Sequence, residues 1–183
     1  MHLNINRSLL YIFLLLILAC SSKQEQPNNK LVYFDTEKYF NEQISLLAVG
    51  NYRMDKTVHH NDENESKSFE LVDWSKELNI FRDYNINKTS LIGKYAIDTV
   101  IDHKIKTIQY FTTDSALTLK QLSIVFDNDI IVELSFKNSS DNFLYNSHQE
   151  LTYFPLKGYK VSGKQKTATG QIIDYSIEAI ISK

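Results

Sequence analysis

The chain has 183 residues, 43% apolar and 23% charged, with one cysteine, two prolines and five glycines. That is about one domain's worth of material, apolar enough for a core without disulfides, and it is the composition neither of a disordered chain nor of a membrane-spanning body. Twenty basic against 22 acidic residues give a net charge of −2, which argues against a nucleic-acid partner, and a lone sulfur can form neither an internal disulfide nor a multi-cysteine metal site.

Residues 1–7 end on Arg7, and residues 8–19 form an apolar run that stops at Cys20 before the polar Ser21, Ser22 and Lys23. A membrane-spanning helix needs roughly twenty apolar residues, so the run is too short to cross and has the layout of an export leader. At its end, Ile17-Leu18-Ala19-Cys20 resembles the lipobox of bacterial lipoproteins. The resemblance implies a diacylglyceryl group on Cys20, cleavage just before it and acylation of the new amine. Two or three acyl chains, at about 0.8 kcal/mol per buried CH₂, hold a protein stably where one does not. The alternatives are a plain secretory signal with an incidental cysteine and an uncleaved anchor. Residues 21–30 are polar and aperiodic and are expected to be a flexible tether reaching at most about 35 Å.

A first helix is expected from Asp35, with Asp35 as N-cap, Glu37 in the first turn, Phe34 and Tyr39 at staple spacing, a face of Phe40, Ile44 and Leu47, and Gly50 as its stop. Residues 52–60 and 66–71 suggest a hairpin around the acidic tip 61–65. A second helix is expected from Asp73, with Trp74, Leu78 and Phe81 at helical spacing, fraying around residues 85–87. From Thr89 the apolar period changes to two, in runs at 91–101, 105–112, 117–126 and 130–136 separated by short polar turns. Further strands are expected at 149–154, 159–164 and 171–182. In the last of these Ile173, Tyr175, Ile177, Ala179 and Ile181 share one face, opposite Asp174, Ser176 and Glu178.

These elements predict an α+β fold: a curved antiparallel meander with two N-terminal helices packed on one face. The chain then divides into a leader (1–19), a lipidated cysteine with its tether (20–30) and a single α+β domain (31–183).

Chemistry is sparse by comparison. The sequence has no nucleophile elbow, P-loop, dinucleotide fingerprint, H-E-x-x-H or C-x-x-C, so no catalytic residue, metal ligand or cofactor is assigned. His59 and His60 are adjacent, which in a strand sends them to opposite faces, one inward and one solvated, and His103 and His148 fall in turns or loops. Asp127-Asn128-Asp129 could open a calcium loop but lacks the glycine and distal glutamate, and is better explained as a hairpin turn. The tip 62–65 is a soluble loop where a partner could touch. Asp98 and Asp102 would serve acid–base chemistry only at a suitable separation. Tyr39, Trp74, Tyr110, Tyr153 and Tyr175 could line a ligand groove, although packing accounts for them as well.

With its leader, its Lys/Asn/Ile/Tyr-rich body and the stretch Glu150-Leu151-Thr152-Tyr153-Phe154-Pro155, the chain resembles the small uncharacterised lipoproteins of Bacteroidota. That resemblance implies an outer-membrane anchor and no particular activity. In some of these bacteria acids just after the cysteine mark surface proteins; residues 21–26 hold one acid, which points to a domain facing the periplasm. The leading functional expectation is a non-catalytic envelope module that binds another protein. The alternatives are a carrier of lipid or another hydrophobic ligand, using a cavity between sheet and helices, and last a hydrolase.

Overall fold

The computed structural model describes residues 31–61 and 63–183. The leader, Cys20 and the tether lie outside the described residues, as does Asp62. Among the described residues nine strands form one open antiparallel sheet, accompanied by a few short helices.

Helix α1 (Thr36–Val49) starts and stops on local signals. The Asp35 carboxylate accepts the Lys38 N–H at 3.0 Å, and Phe34 meets Tyr39 across the cap with ring centroids 5.6 Å apart. At the other end the Gly50 N–H bonds the Leu46 carbonyl. The expected second helix is instead two single turns, α2 (Trp74–Glu77) and α3 (Asn79–Arg82), because Leu78 between them leaves the helical region at φ −91°, ψ 2°. Asp73 caps the first turn as expected, accepting the Lys76 N–H at 3.2 Å.

Strands β1 (Arg53–His60) and β2 (Glu63–Phe69) form the N-terminal hairpin, so most of the polar run taken for its tip is strand. Then follow β3 (Ala96–Asp102), β4 (Ile105–Phe111), β5 (Leu119–Asp127), β6 (Ile130–Asp141), β7 (Tyr145–Phe154), β8 (Gly158–Thr167) and β9 (Ile172–Ser182). A 3₁₀ turn at Thr89–Leu91 takes up the start of the first run expected to be strand. The seven strands β3 to β9 are a meander, and the hairpin joins it out of sequence by pairing β1 with β9, giving the order β2-β1-β9-β8-β7-β6-β5-β4-β3. Between β5 and β6 the turn is Asn128-Asp129, both at positive φ (48° and 64°). Two such residues make a tight hairpin turn whose twist suits the flanking strands, and Asn and Asp tolerate that conformation.

Register places the core on one side of the sheet. Leu122, Phe136, Leu151, Val161 and Ile177 lie opposite one another across β5 to β9. So do Ile124, Leu134, Tyr153, Tyr159 and Ala179. Rings from the helices meet this row: Phe40 of α1 lies 5.1 Å from Tyr153 and 6.4 Å from Phe136, and Phe81 of α3 lies 5.5 Å from Tyr159. Phe40 and Phe81 stack on each other at 5.4 Å.

Residues 31–34 are fixed by one amide side chain. The Asn87 oxygen accepts the N–H groups of Val32 and Tyr33 at 3.1 and 2.9 Å, and its nitrogen donates to the Tyr33 and Phe34 carbonyls. The Tyr33 hydroxyl in turn accepts the N–H groups of Gly93 and Tyr95, just ahead of β3. Asn87→Leu strands these backbone groups and is expected to lower stability by about 1–3 kcal/mol, whereas Asp35→Ala removes one exposed cap bond at about 1 kcal/mol. Urea denaturation of both variants checks the order.

Candidate functional site

Two polar clusters interrupt the apolar side of the sheet. The first joins Lys56 of β1, Glu77 of α2 and Tyr159 of β8. The Lys56 ammonium is 2.5 Å from the Glu77 carboxylate, which also accepts the Tyr159 hydroxyl, and the same ammonium lies 5.9 Å from the centre of the Tyr159 ring. Burial, followed by the Glu77 hydrogen bond and charge, drives the Tyr159 hydroxyl far above its usual range. A phenol held neutral and a carboxylate already shared between two donors form no acid–base couple near neutral pH. Chemically the cluster is a tie between the α2 turn and the sheet.

The second cluster lies on the same side, one row beyond that of Phe136, Leu151, Val161 and Ile177. Asn138 of β6, Gln149 of β7, Gly163 of β8 and Tyr175 of β9 are paired in sequence across the strands. The Asn138 amide donates to the Tyr84 hydroxyl and to the Gln149 oxygen (3.0 Å), and the Gln149 amide donates to the Tyr175 hydroxyl at 2.8 Å. Asn138 is 7% exposed, and its oxygen has no partner among the described residues. Gly163 makes the arrangement possible, since a Cβ there would stand 2.4 Å from the tip of the Tyr175 ring. Tyr175 therefore lies flat over β8 to reach Gln149. The groups gathered here are amides and phenols, which donate and accept hydrogen bonds and so can recognise and orient a bound group.

The sequence candidates are dispersed. His59 and His60 occupy successive positions of β1 opposite Ser176 and Tyr175, and both are exposed, so the expected inward histidine is not found. The His59 Nδ1 bonds the Asn64 side-chain oxygen across the hairpin, and His60 borders the open depression at the hairpin's end. His103 is an exposed turn residue at φ 55° with its Nδ1 2.5 Å from Asp102, whereas His148 is not in the expected turn or loop but within β7, exposed on its polar side and paired with Ser139 and Lys164. Asp98 and Asp102 stand four residues apart on β3, both exposed; Asp98 accepts the Thr99 N–H and Asp102 meets the His103 ring, and among the described residues the two carboxylates share no partner. Among the described residues no three His, Cys, Asp or Glu gather as a metal site would require.

Of the aromatics, Trp74, Tyr110 and Tyr153 are core, the Tyr153 hydroxyl donating to the buried Gln43 oxygen at 3.1 Å. Tyr39 packs on Phe34 and Phe40. Only Tyr175 reaches a polar cluster. Tyr84, Asn138 and Gln149 were missed, yet a signal existed: Asn138 continues the spacing-by-two of Leu134 and Phe136, and Gln149 that of Leu151 and Tyr153, so both are polar residues at positions due to face the core.

Depressions on the surface are open and mixed in character. One of about 320 Å³ lies between α1 and α3, lined by Glu37, Asn41, Arg82 and Asp83 among others. A second of about 420 Å³ lies at the β3–β4 and β5–β6 turns and includes Ile101, Ile105, Lys106 and Asp129. A third of about 470 Å³ lies at the end of the β1–β2 hairpin. Comparison of the chain with known protein families, curated proteins and solved structures finds no match.

Two outcomes follow from these contacts. Gly163→Ala is expected to cost about 1–3 kcal/mol by displacing the Tyr175 ring, and to become nearly neutral in a Tyr175→Ala background. A double-mutant cycle by chemical denaturation reads the coupling. The second concerns alkali. Burial raises the hydroxyls of Tyr39, Tyr84, Tyr95, Tyr110, Tyr153 and Tyr159. A group bound more tightly to its proton in the folded state stabilises fully below its unfolded pKa, about 10 for tyrosine, and that stability is lost as pH rises above it. The melting temperature should hold to about pH 9 and then fall, less steeply in Tyr159→Phe. Circular dichroism melts across that range test this.

Proposed function

We propose that the chain is a lipid-anchored module of the bacterial cell envelope, held by acyl chains on Cys20, whose folded part binds another protein and catalyses nothing. The observation that carries the reading is the apolar run 8–19 ending on the chain's one cysteine, with a basic residue before it and a polar segment after it. A run of that length suits an export leader, and a thiol at its end suits thioether acylation. In this reading the anchor sits in the outer membrane, and the domain faces the periplasm and not the cell surface because residues 21–26 carry a single acid.

The binding role draws support from the groups that the fold gathers. Amides, phenols and a saturated ion pair offer recognition, and no pair of groups is poised for proton transfer. In this reading the short helices form a cover on one side of a curved sheet. The rival reading, a carrier of hydrophobic ligands, needs an enclosed apolar space between helices and sheet. Where α1 and α3 meet β6, β7 and β8, the rings of Phe40, Phe81, Phe136 and Tyr153 lie 5.1 to 6.4 Å apart and take up that space. Packing this close leaves few voids larger than a water molecule.

The test is expression of the full chain and of Cys20→Ser with a clickable fatty acid, followed by fractionation and mass spectrometry of the processed N-terminus. The parent should take up label and sediment with membranes, and Cys20→Ser should lose both. An unlabelled parent, or a variant equally retained in membranes, removes the anchor.

A further inference from the structure

An antiparallel sheet that does not close has two edges, and here they differ in kind. Edge strand β2 reads Glu63-Asn64-Glu65-Ser66-Lys67-Ser68-Phe69, and polar and charged residues of this sort blunt an edge against further pairing. Edge strand β3 reads Ala96-Ile97-Asp98-Thr99-Val100-Ile101-Asp102, and every residue of it is exposed. Ile97 is 52% exposed, Val100 55% and Ile101 70%. The strand holds no proline or lysine, and its register with β4 runs without a bulge from Ala96↔Phe111 to Asp102↔Ile105. At its centre the Thr99 N–H is bonded to the adjacent Asp98 carboxylate at 2.8 Å, a local bond that an incoming strand can replace. Seven residues present about 23 Å of pairing edge, and the depression holding Ile101 and Ile105 continues it at one end.

We propose that the β3 edge receives an extended segment of a second protein, a strand whose alternate residues are apolar and basic. This deepens the binding role stated above and rests on it. Ile97, Thr99 and Ile101 share one side of β3, and Ala96, Asp98, Val100 and Asp102 the other. An added strand would therefore cover Ile97 and Ile101 with apolar side chains while setting lysine or arginine beside Asp98 and Asp102. Backbone bonds supply affinity in this mode, and the alternating side chains supply selectivity.

Charge selects this occupant over a second copy of the chain. Pairing β3 with itself antiparallel about Thr99 sets Asp98 opposite Val100 of the other copy, with that copy's Asp98 and Asp102 as its two diagonal neighbours. Carboxylates then collect on one side with no lysine or arginine in either strand, only the His103 ring meeting Asp102, and like charges facing one another across strands are destabilising. A basic strand turns the same spacing into attraction.

The probe is a synthetic peptide of about nine residues alternating lysine and valine, a length that spans the edge, with a glutamate–valine peptide as its counterpart. Both are titrated against the full chain by fluorescence anisotropy, with amide exchange locating the contact. The lysine peptide should bind saturably, slow exchange in β3 and β4, and bind about tenfold more tightly than the glutamate peptide, as two or three favourable cross-strand pairs would give. Ile97→Lys with Ile101→Lys should weaken it by a similar factor. Asp98→Lys with Asp102→Lys should reverse the preference, so that the glutamate peptide becomes the better ligand; that gain cannot come from a misfolded variant.

No saturable binding, equal affinity for the two peptides, or protection of β2 in place of β3 overturns the proposal. So does a dimer of the chain with β3 amides protected in the absence of peptide, which would make a second copy the occupant. Cys20→Ser protein is titrated in parallel, so a failed anchor with intact peptide binding, and the converse, are told apart.

Discussion

Contact between the aromatic side chains of residues 34–84 and those of β6, β7 and β8 is what the structure depends on. A single helical turn has no stability of its own, since nucleation fixes several residues for one hydrogen bond. Yet α2 and α3 are each a single turn. They persist because Trp74, Leu78 and Phe81 are buried, and because Phe81 lies within 5.9 Å of rings on three consecutive strands, Phe136, Tyr153 and Tyr159. Phe40 ties α1 to the same rings. Ring pairs at such distances add about 0.5–1.5 kcal/mol each to the area they bury, and their geometry fixes the helix residues in place as no uniform aliphatic contact would. The Glu77 carboxylate, sharing the Tyr159 hydroxyl and the Lys56 ammonium, pins the α2 turn from its polar side.

How much of this could be read from residues alone follows from where each signal resides. Helix α1 was legible from Phe34 to Gly50 because its cap, staple and stop lie within a few residues of one another. The second helix was not: Trp74, Leu78 and Phe81 have helical spacing, but the break at Leu78 is set by what Trp74 and Phe81 must reach on the sheet. Strand ends went the same way. Residues 137–141 of β6 and 63–65 of β2 are polar and do not alternate, and they are strand because a neighbouring strand completes their backbone bonds, Ser139 and Ser140 opposite His148 and Ser147, Glu65 opposite Val58. A ladder imposed from outside leaves no mark in the side chains of the segment that receives it.

The Asn138–Gln149–Tyr175 cluster lay between these cases. Polar residues at positions where spacing demands apolar ones are visible in a sequence, but their meaning depends on four strands lying side by side and on Gly163 leaving room for a ring. Glycine in a strand usually marks a bulge or a close approach, and without the strand order the residue that approaches Gly163 is unknowable. Strand order in turn was obscured by β1, whose partner β9 is more than a hundred residues away in the chain.

That non-local pairing also decides which edge is open. Had the meander stood alone, β9 would have been an edge, with Ile173 and Ile177 beside it; pairing with β1 covers β9 and moves the edge to the polar β2. Among the described residues no strand pairs with the free side of β3, although Ile97, Val100 and Ile101 are exposed there. The local setting adds a consequence of connectivity. Tyr33, bonded to Gly93 and Tyr95, fixes the start of the described chain beside the start of β3, and about ten residues that can reach at most about 35 Å separate Leu31 from Cys20. Were Cys20 acylated as proposed, a partner segment on the same membrane would meet β3 at the raised effective concentration that a span of about ten residues gives. A modest edge affinity would then suffice, and modest affinity is what keeps an exposed edge strand from driving aggregation in free solution.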